Sequence, residues 1–157
     1  MQSARLFNPI VSFFLRLGLP LGPQALLTIT GRKSGLPRTT PVALNRAGSE
    51  WHLISVYGNV DWVRNLRAAG NAVVTMRRQI IPVTSQELTP SEAASVLRDR
   101  FASVGLLVRL VVGRYFRAGP GASLVAWEEE AARHPVFVLS PIARPEQPES
   151  SAEHRAK

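Results

Sequence analysis

From Gln24 to Glu87 apolar and polar residues alternate in short runs, the two-residue period of strands that turn one face to a core. Ala25 to Thr30 is apolar and β-branched, Gly31 to Pro37 is a polar turn with two glycines, and Thr39 to Leu44 resumes the strand pattern. A second turn, Asn45 to Ser49, leads into Trp51 to Tyr57, where His52, Ile54 and Val56 alternate with Leu53, Ser55 and Tyr57. Ala72 to Arg77 and Gln79 to Glu87 predict a further antiparallel pair, and Pro82, which has no N–H to donate, places the second of these at an edge or a bulge. Elsewhere the period lengthens to that of a helix. Leu6, Ile10, Phe13, Phe14 and Leu17 predict an amphipathic helix within residues 1–20. Asp61 to Ala69, opened by Asn59 or Asp61 and closed by Gly70, predicts a short one. Thr89-Pro90-Ser91-Glu92 is a capping box with proline at the first helical position, starting a helix that runs to about Phe101. An apolar stretch from Leu106 to Val112, a short acidic helix around Trp127 to Ala132 and a last strand from Pro135 to Leu139 complete the pattern.

Five strands in succession, mostly joined by short turns and followed by helices, predict an antiparallel barrel or sandwich in a single domain over residues 1–140. Past that point the chain is Pro, Glu, Ser and Ala without apolar periodicity, which predicts a disordered tail over residues 141–157. The N-terminal run is interrupted by Arg16, ended by Pro20 and too short to span a bilayer, and no small-residue cleavage site follows it. Two readings stay open for residues 4–19: packing on their own domain, or peripheral contact with a membrane interface. The expected localisation is cytoplasmic.

Composition narrows the chemistry. None of the 157 residues is cysteine, which excludes a disulfide framework, a thiolate zinc site, an iron–sulfur cluster and a cysteine nucleophile. His52, His134 and His154 are scattered without ligand spacing, so no metal centre is expected. The net charge is +8, from 19 Lys+Arg against 11 Asp+Glu, and only Lys33 and Lys157 are lysines. Arginine suits planar, bidentate recognition of phosphate or carboxylate. Eight cations against Glu50 and Asp61 leave +6 in residues 31–80, a concentration that implies an anionic partner.

That charge centres on Thr30-Gly31-Arg32-Lys33-Ser34-Gly35-Leu36-Pro37-Arg38-Thr39-Thr40-Pro41. A glycine-bounded turn with three cations, free backbone amides and hydroxyls can wrap an anion, although a solvated basic hairpin has the same composition. It is not a Walker loop, since GxxxxGK[ST] spacing is absent. A second segment, Tyr57-Gly58-Asn59-Val60-Asp61-Trp62-Val63-Arg64-Asn65-Leu66-Arg67, runs a loop into a helix N-terminus, a second place for an anion, with Trp62 offering a flat face to a ring or to the core.

The order strand, GRKSGxPR, strand, YG loop and DWVRNLRA resembles the deazaflavin-dependent nitroreductase family, a branch of the split β-barrel flavin-binding proteins, over roughly Leu26 to Glu87. The resemblance implies mainly antiparallel β with helices (α+β), a split, FMN-binding-like β-barrel, and binding of coenzyme F420, whose tail carries a phosphate and glutamates. It further implies that Arg32, Lys33 and Arg38 hold that tail with Ser34 assisting, that Thr40, Pro41, Val42 and the segment Ser55, Val56, Tyr57 and Gly58 line the deazaflavin ring, and that Asp61 and Trp62 close its edge. The loop before the tryptophan is shorter than in better-known members: Gly58-Asn59-Val60-Asp61 stands where those carry a glycine pair and an Asn-Pro.

The implied activity is transfer of a hydride from the reduced cofactor to a small hydrophobic acceptor such as a quinone, a nitroaromatic or another conjugated compound. Tyr57 is a candidate proton donor to the product, against the alternative of an inward-facing strand aromatic. Tyr115 and Phe116 are candidate substrate contacts, against ordinary packing of helix on barrel. Two other classes remain beside this one: a non-catalytic basic module for nucleic acid or anionic lipid, and a carrier of FMN or F420. Nucleic acid is disfavoured because only Trp51, Tyr57 and Trp62 lie near the cations. Split-barrel relatives include monomers and homodimers, and both remain open here.

Overall fold

A computed structural model describes residues 24–142, so the N-terminal helix expected over residues 1–20 and nearly all of the tail expected over residues 141–157 lie outside the described residues. In chain order the elements are β1 (Gln24–Thr30), β2 (Pro37–Ala47), β3 (Glu50–Ile54), α1 (Asp61–Ala69), β4 (Asn71–Met76), β5 (Gln79–Glu87), α2 (Pro90–Ser103), α3 (Leu106–Gly113), α4 (Leu124–Arg133) and β6 (Val136–Pro141). The six strands close into an antiparallel barrel in the order β1-β2-β3-β6-β5-β4. The choice between barrel and sandwich is thus settled. Closure comes from β1, which pairs with β2 on one side and, through Leu26, Leu27 and Thr28, with β4 on the other.

Alternate residues of the strands fill the interior: Leu27 and Ile29 of β1, Leu44 of β2, Leu53 of β3, Val74 of β4 and Leu139 of β6 are all buried there. Helix α1 adds Val63 and Leu66 to the same core. A second apolar cluster lies outside the barrel, where α2 and α4 bring Ala94, Leu97, Phe101, Trp127 and Ala131 together with Val136 of β6. The capping box forms as expected: Glu92 N–H donates to Thr89 Oγ1 at 3.3 Å, and the Glu92 carboxylate accepts from Thr89 N–H at 2.9 Å.

Three expectations need correction. The strand expected over Trp51 to Tyr57 ends at Ile54, because Gly58 N–H donates to Ser55 O at 3.2 Å and turns the chain. Pro82 is neither at an edge nor at a bulge, since β5 pairs with both β4 and β6. It is tolerated because the β5–β6 ladder stops at Val83–Pro141, so its missing N–H faces the end of β6, the side on which its carbonyl accepts from Ile142 N–H at 2.9 Å. The acidic helix is longer than Trp127 to Ala132, because Ser123 caps it by accepting from Ala126 N–H at 3.3 Å.

Candidate functional site

The turn from β1 into β2 is a compact loop held by its own backbone. Gly31 N–H donates to Leu36 O at 2.9 Å, and Gly35 N–H donates to Gly31 O at 2.8 Å. Gly35 has φ 66°, the left-handed region that costs a side-chain-bearing residue and not glycine. The Ser34 hydroxyl accepts from Leu36 N–H at 3.3 Å, so it serves the turn. This loop faces the N-terminal turn of α1 across an open groove of about 630 Å³, whose walls include Arg32, Lys33, Ser34, Arg38, Thr40, Asp61 and Trp62. Seven of the expected cofactor residues therefore meet in one place.

Their electrostatics divide. The Arg32 guanidinium is already engaged, donating to Asn65 Oδ1 at 2.8 Å and to Asp61 Oδ1 at 3.2 Å. Lys33 and Arg38 line the same groove exposed, with no ion pair or side-chain hydrogen bond to any described residue. Asp61, the one acid of the groove, is shared between Arg32 and Arg64, the latter at 3.7 Å. Trp62 is half-buried with its ring 6.1 Å from that of Phe137, so it is part wall and part core. The rear of α1 is anchored by Arg67, which grips Glu87 with two bonds of 2.5 and 2.6 Å and reaches Asn59 Oδ1 at 2.8 Å.

Asn65 is the residue that sequence reasoning missed. It is buried, lines the groove, and its Oδ1 also accepts from the Arg32 backbone N–H at 3.3 Å, fixing the turn to the helix. The signal was present: an amide beside Leu66 on the buried face of a nine-residue helix needs a partner outside that helix.

The remaining expected residues lie elsewhere. Val42 is packed inside the barrel, and Pro41 is half-buried on the strand without lining the groove. Ser55 is buried, with its hydroxyl donating to Gly58 O at 2.5 Å and its N–H to Pro135 O at 2.9 Å. Gly58 has φ 73°, and a Cβ there would stand 3.1 Å from Arg133 O. Tyr57 is 47% exposed, not an inward strand residue, and meets Tyr115 edge to face at 5.0 Å. Partial burial and the neighbouring Tyr115 hold its phenol above the ordinary tyrosine value, against the opposing pull of Arg114. Phe116, in the loop after α3, packs on Phe101, Trp127 and His134, and with Val56 it lines a separate apolar recess.

Under the Ser55–Gly58 turn sits a buried ionic cluster. His134 places Nδ1 3.2 Å from Ser55 O and Nε2 3.0 Å from Tyr115 O. Glu130 Oε1 accepts from Arg117 N–H, Ala118 N–H and the Arg133 guanidinium at 2.8, 3.1 and 2.7 Å, and its Oε2 lies 3.4 Å from His134 Nε2. Burial pushes the Glu130 carboxyl up, but the Arg133 hydrogen bond and the two backbone donors outweigh it and hold the group below the ordinary glutamate value. Among the described residues no cluster of three metal-ligating side chains occurs, and no helix is long and apolar enough to cross a membrane.

A family model described as F420H(2)-dependent quinone reductase matches residues 15–105. Three solved structures are similar in shape. One, described as a domain-swapped dimer, has 18% identity over 75% of this chain and 80% of its own, with a TM-score of 0.52. General Stress Protein 26 from Bacillus anthracis str. Sterne has 8% identity over 76% of this chain and 80% of its own, with a TM-score of 0.50. An F420-H2 dependent reductase has 21% identity over 75% of this chain and 94% of its own, with a TM-score of 0.48.

Proposed function

Since this chain belongs to the F420H2-dependent quinone reductase family, with the split, FMN-binding-like barrel and the deazaflavin cofactor that go with it, we propose that the groove between the Gly31–Arg38 turn and α1 is where the cofactor sits and that the acceptor is a small hydrophobic quinone or a similar conjugated compound. The observation that carries the reading is the pair of cations, Lys33 and Arg38, that line the groove without an acidic partner among the described residues. A tail bearing a phosphate and carboxylates supplies the missing charge.

The residues divide the work. Lys33 and Arg38 grip the anionic tail, Lys33 as a mobile point charge and Arg38 as a planar fork. Arg32 organises, tying the turn to Asp61 and Asn65 and offsetting the Asp61 carboxylate so that the groove stays positive. Thr40 and Trp62 bound the ring end. When bound in its reduced form the cofactor supplies the hydride, so the chain needs to orient two partners and exclude water and no metal is called for. Tyr57 keeps its proton across the physiological range and remains the candidate donor to the reduced product, standing outside the groove wall edge to face with Tyr115.

Titrating the protein with F420, with FMN and with single-stranded DNA, followed by fluorescence, tests the reading. Saturable F420 binding that weakens roughly tenfold in Lys33→Ala or Arg38→Ala is expected, together with oxidation of F420H2 by a soluble quinone. Unchanged F420 affinity in both variants would make the basic turn a solvated hairpin.

A further inference from the structure

A second recess shares no lining residue with the groove. It lies where α2 and α3 meet the outer face of β2 and β3, a cavity of about 70 Å³ with Val56, Leu97, Val112 and Phe116 among its apolar walls. It adjoins a wider groove of about 490 Å³ beside the β2–β3 hairpin, and the two have Asn45, Ile54 and Arg100 in common. Asn45 and Arg100 are the recess's only polar residues among those described.

Neither side chain is satisfied by a described residue. Arg100 is half-buried, and its guanidinium makes no hydrogen bond or ion pair with any described residue. Burial alone holds its guanidinium below the usual arginine range. Its sequence neighbour Asp99 spends its carboxylate on Arg98 at 3.0 Å, and Arg46, on the wider groove, turns its Nε to Gly48 O at 3.1 Å. Asn45 Oδ1 is buried without a donor. Arg32, by contrast, is met by Asn65 and Asp61, and the other buried oxygen without a hydrogen bond, Glu130 Oε2, still has the His134 ring 3.4 Å away. A desolvated donor and a desolvated acceptor left open in one apolar recess describe the complement of a ligand, because an unmet buried polar group is costly and a ligand that meets it recovers that cost on binding.

We propose that this recess binds a short aliphatic hydroxy acid, its carboxylate on Arg100, its hydroxyl donating to Asn45 Oδ1 and its hydrocarbon chain in the apolar cavity. A guanidinium fork matches a carboxylate with two parallel N–H···O bonds, and low-dielectric walls strengthen the contact. The orphan acceptor adds the requirement for a hydroxyl, since a plain carboxylate leaves Asn45 Oδ1 unmet. The small volume limits the chain to a few carbons, and the wider groove gives the head group its path from solvent.

Isothermal titration of the full chain with 2-hydroxyhexanoate, hexanoate and hexanol tests this. Saturable binding of 2-hydroxyhexanoate is expected, tighter than hexanoate, with hexanol bound least. Arg100→Gln should weaken 2-hydroxyhexanoate at least about tenfold. Asn45→Leu should make the hydroxy acid and hexanoate equal. Ala43→Phe, which fills the cavity and leaves Arg100 in place, should abolish binding while the F420 affinity and the far-ultraviolet circular dichroism stay as in the parent. Absence of saturable binding to the full chain would overturn the proposal and leave the recess to the chain's own residues. So would an Arg100→Gln protein that is folded by circular dichroism and binds 2-hydroxyhexanoate as tightly as the parent.

Discussion

Two places gather charge in this molecule, and they differ in whether the charge is spent. In the cluster beneath the Ser55–Gly58 turn, Glu130 is 1% exposed and meets Arg133 and His134 one helical turn on and the backbone of Arg117 and Ala118 from the preceding loop. In the groove at the Gly31–Arg38 turn, Arg32 is spent on Asp61 and Asn65 while Lys33 and Arg38 are not. The first arrangement holds together elements far apart in sequence: His134 at the end of α4, Ser55 after β3 and Tyr115 after α3. The second leaves Lys33 and Arg38 facing an open groove. On the function proposed above, charge marks a binding site by lacking a partner and facing a groove, whereas charge that is buried and paired marks a joint.

The largest effect should come from emptying the joint. Glu130→Ala leaves two backbone N–H groups without their acceptor and unpairs the partly exposed Arg133, and each buried donor left unmet typically costs about 1–3 kcal/mol. Urea denaturation of the variant should show that loss, and a midpoint equal to the parent's would break the contrast with the groove. The pH dependence has a definite sign. The folded-state carboxyl lies below the 4.5 of a free glutamate, so its contribution is present above that value and is lost as pH falls through the lower folded value. Denaturation midpoints from pH 7 down to pH 3 should therefore fall less steeply in Glu130→Gln than in the parent.

Next comes the hinge between joint and turn. Gly58→Ala forces a side chain into φ 73° and sets its Cβ 3.1 Å from Arg133 O, which should cost roughly 1–3 kcal/mol by thermal or urea unfolding. The groove predicts the opposite balance. Lys33→Ala and Arg38→Ala should leave stability within about 0.5 kcal/mol of the parent. Their F420 affinity should fall roughly tenfold, and the deficit should shrink as salt is raised, because screening removes what the mutation removed. A fall in stability matching the fall in affinity would make these cations structural.

Local signals carried most of the fold. Period-two runs located the strands within a few residues, and the Thr89–Glu92 box located a helix start, because both are written in neighbouring residues. β3 ends at Ile54 where Gly58 N–H donates to Ser55 O and turns the chain, and the contact that holds this turn in place, His134 Nδ1 on the same oxygen, comes from 79 residues on, which no local pattern announces. The same limit shaped the site. The cluster of cations around Gly31 and Gly35 was legible as composition, but Arg32 and Lys33 are identical in that view. Only the fold, by bringing Asn65 and Asp61 against one of them, separates the engaged cation from the free one. Val42 and Phe116 stand apart from the groove for a related reason: a strand residue's face and a loop aromatic's neighbours depend on barrel closure and on helices distant in sequence.

The smallest prediction sharpens the criterion itself. Arg77 and Arg78 form the two-residue turn between β4 and β5 at φ 50° and 66°, positions that favour Asn-Gly and strain larger residues. Both are exposed cations with no ion pair among the described residues, as Lys33 and Arg38 are, yet they line neither the groove at the β1–β2 turn nor the recess beside Arg100. If an unpartnered charge were enough to make a binding residue, replacing these two would weaken the cofactor. If the facing groove is required as well, Arg77→Asn with Arg78→Gly should only relieve backbone strain, raising stability by about 1 kcal/mol in urea while F420 affinity at physiological salt stays within twofold of the parent. A tenfold loss of affinity in that double variant would extend the anion site to the β4–β5 turn, and the groove alone would no longer account for where the cofactor's charge is held.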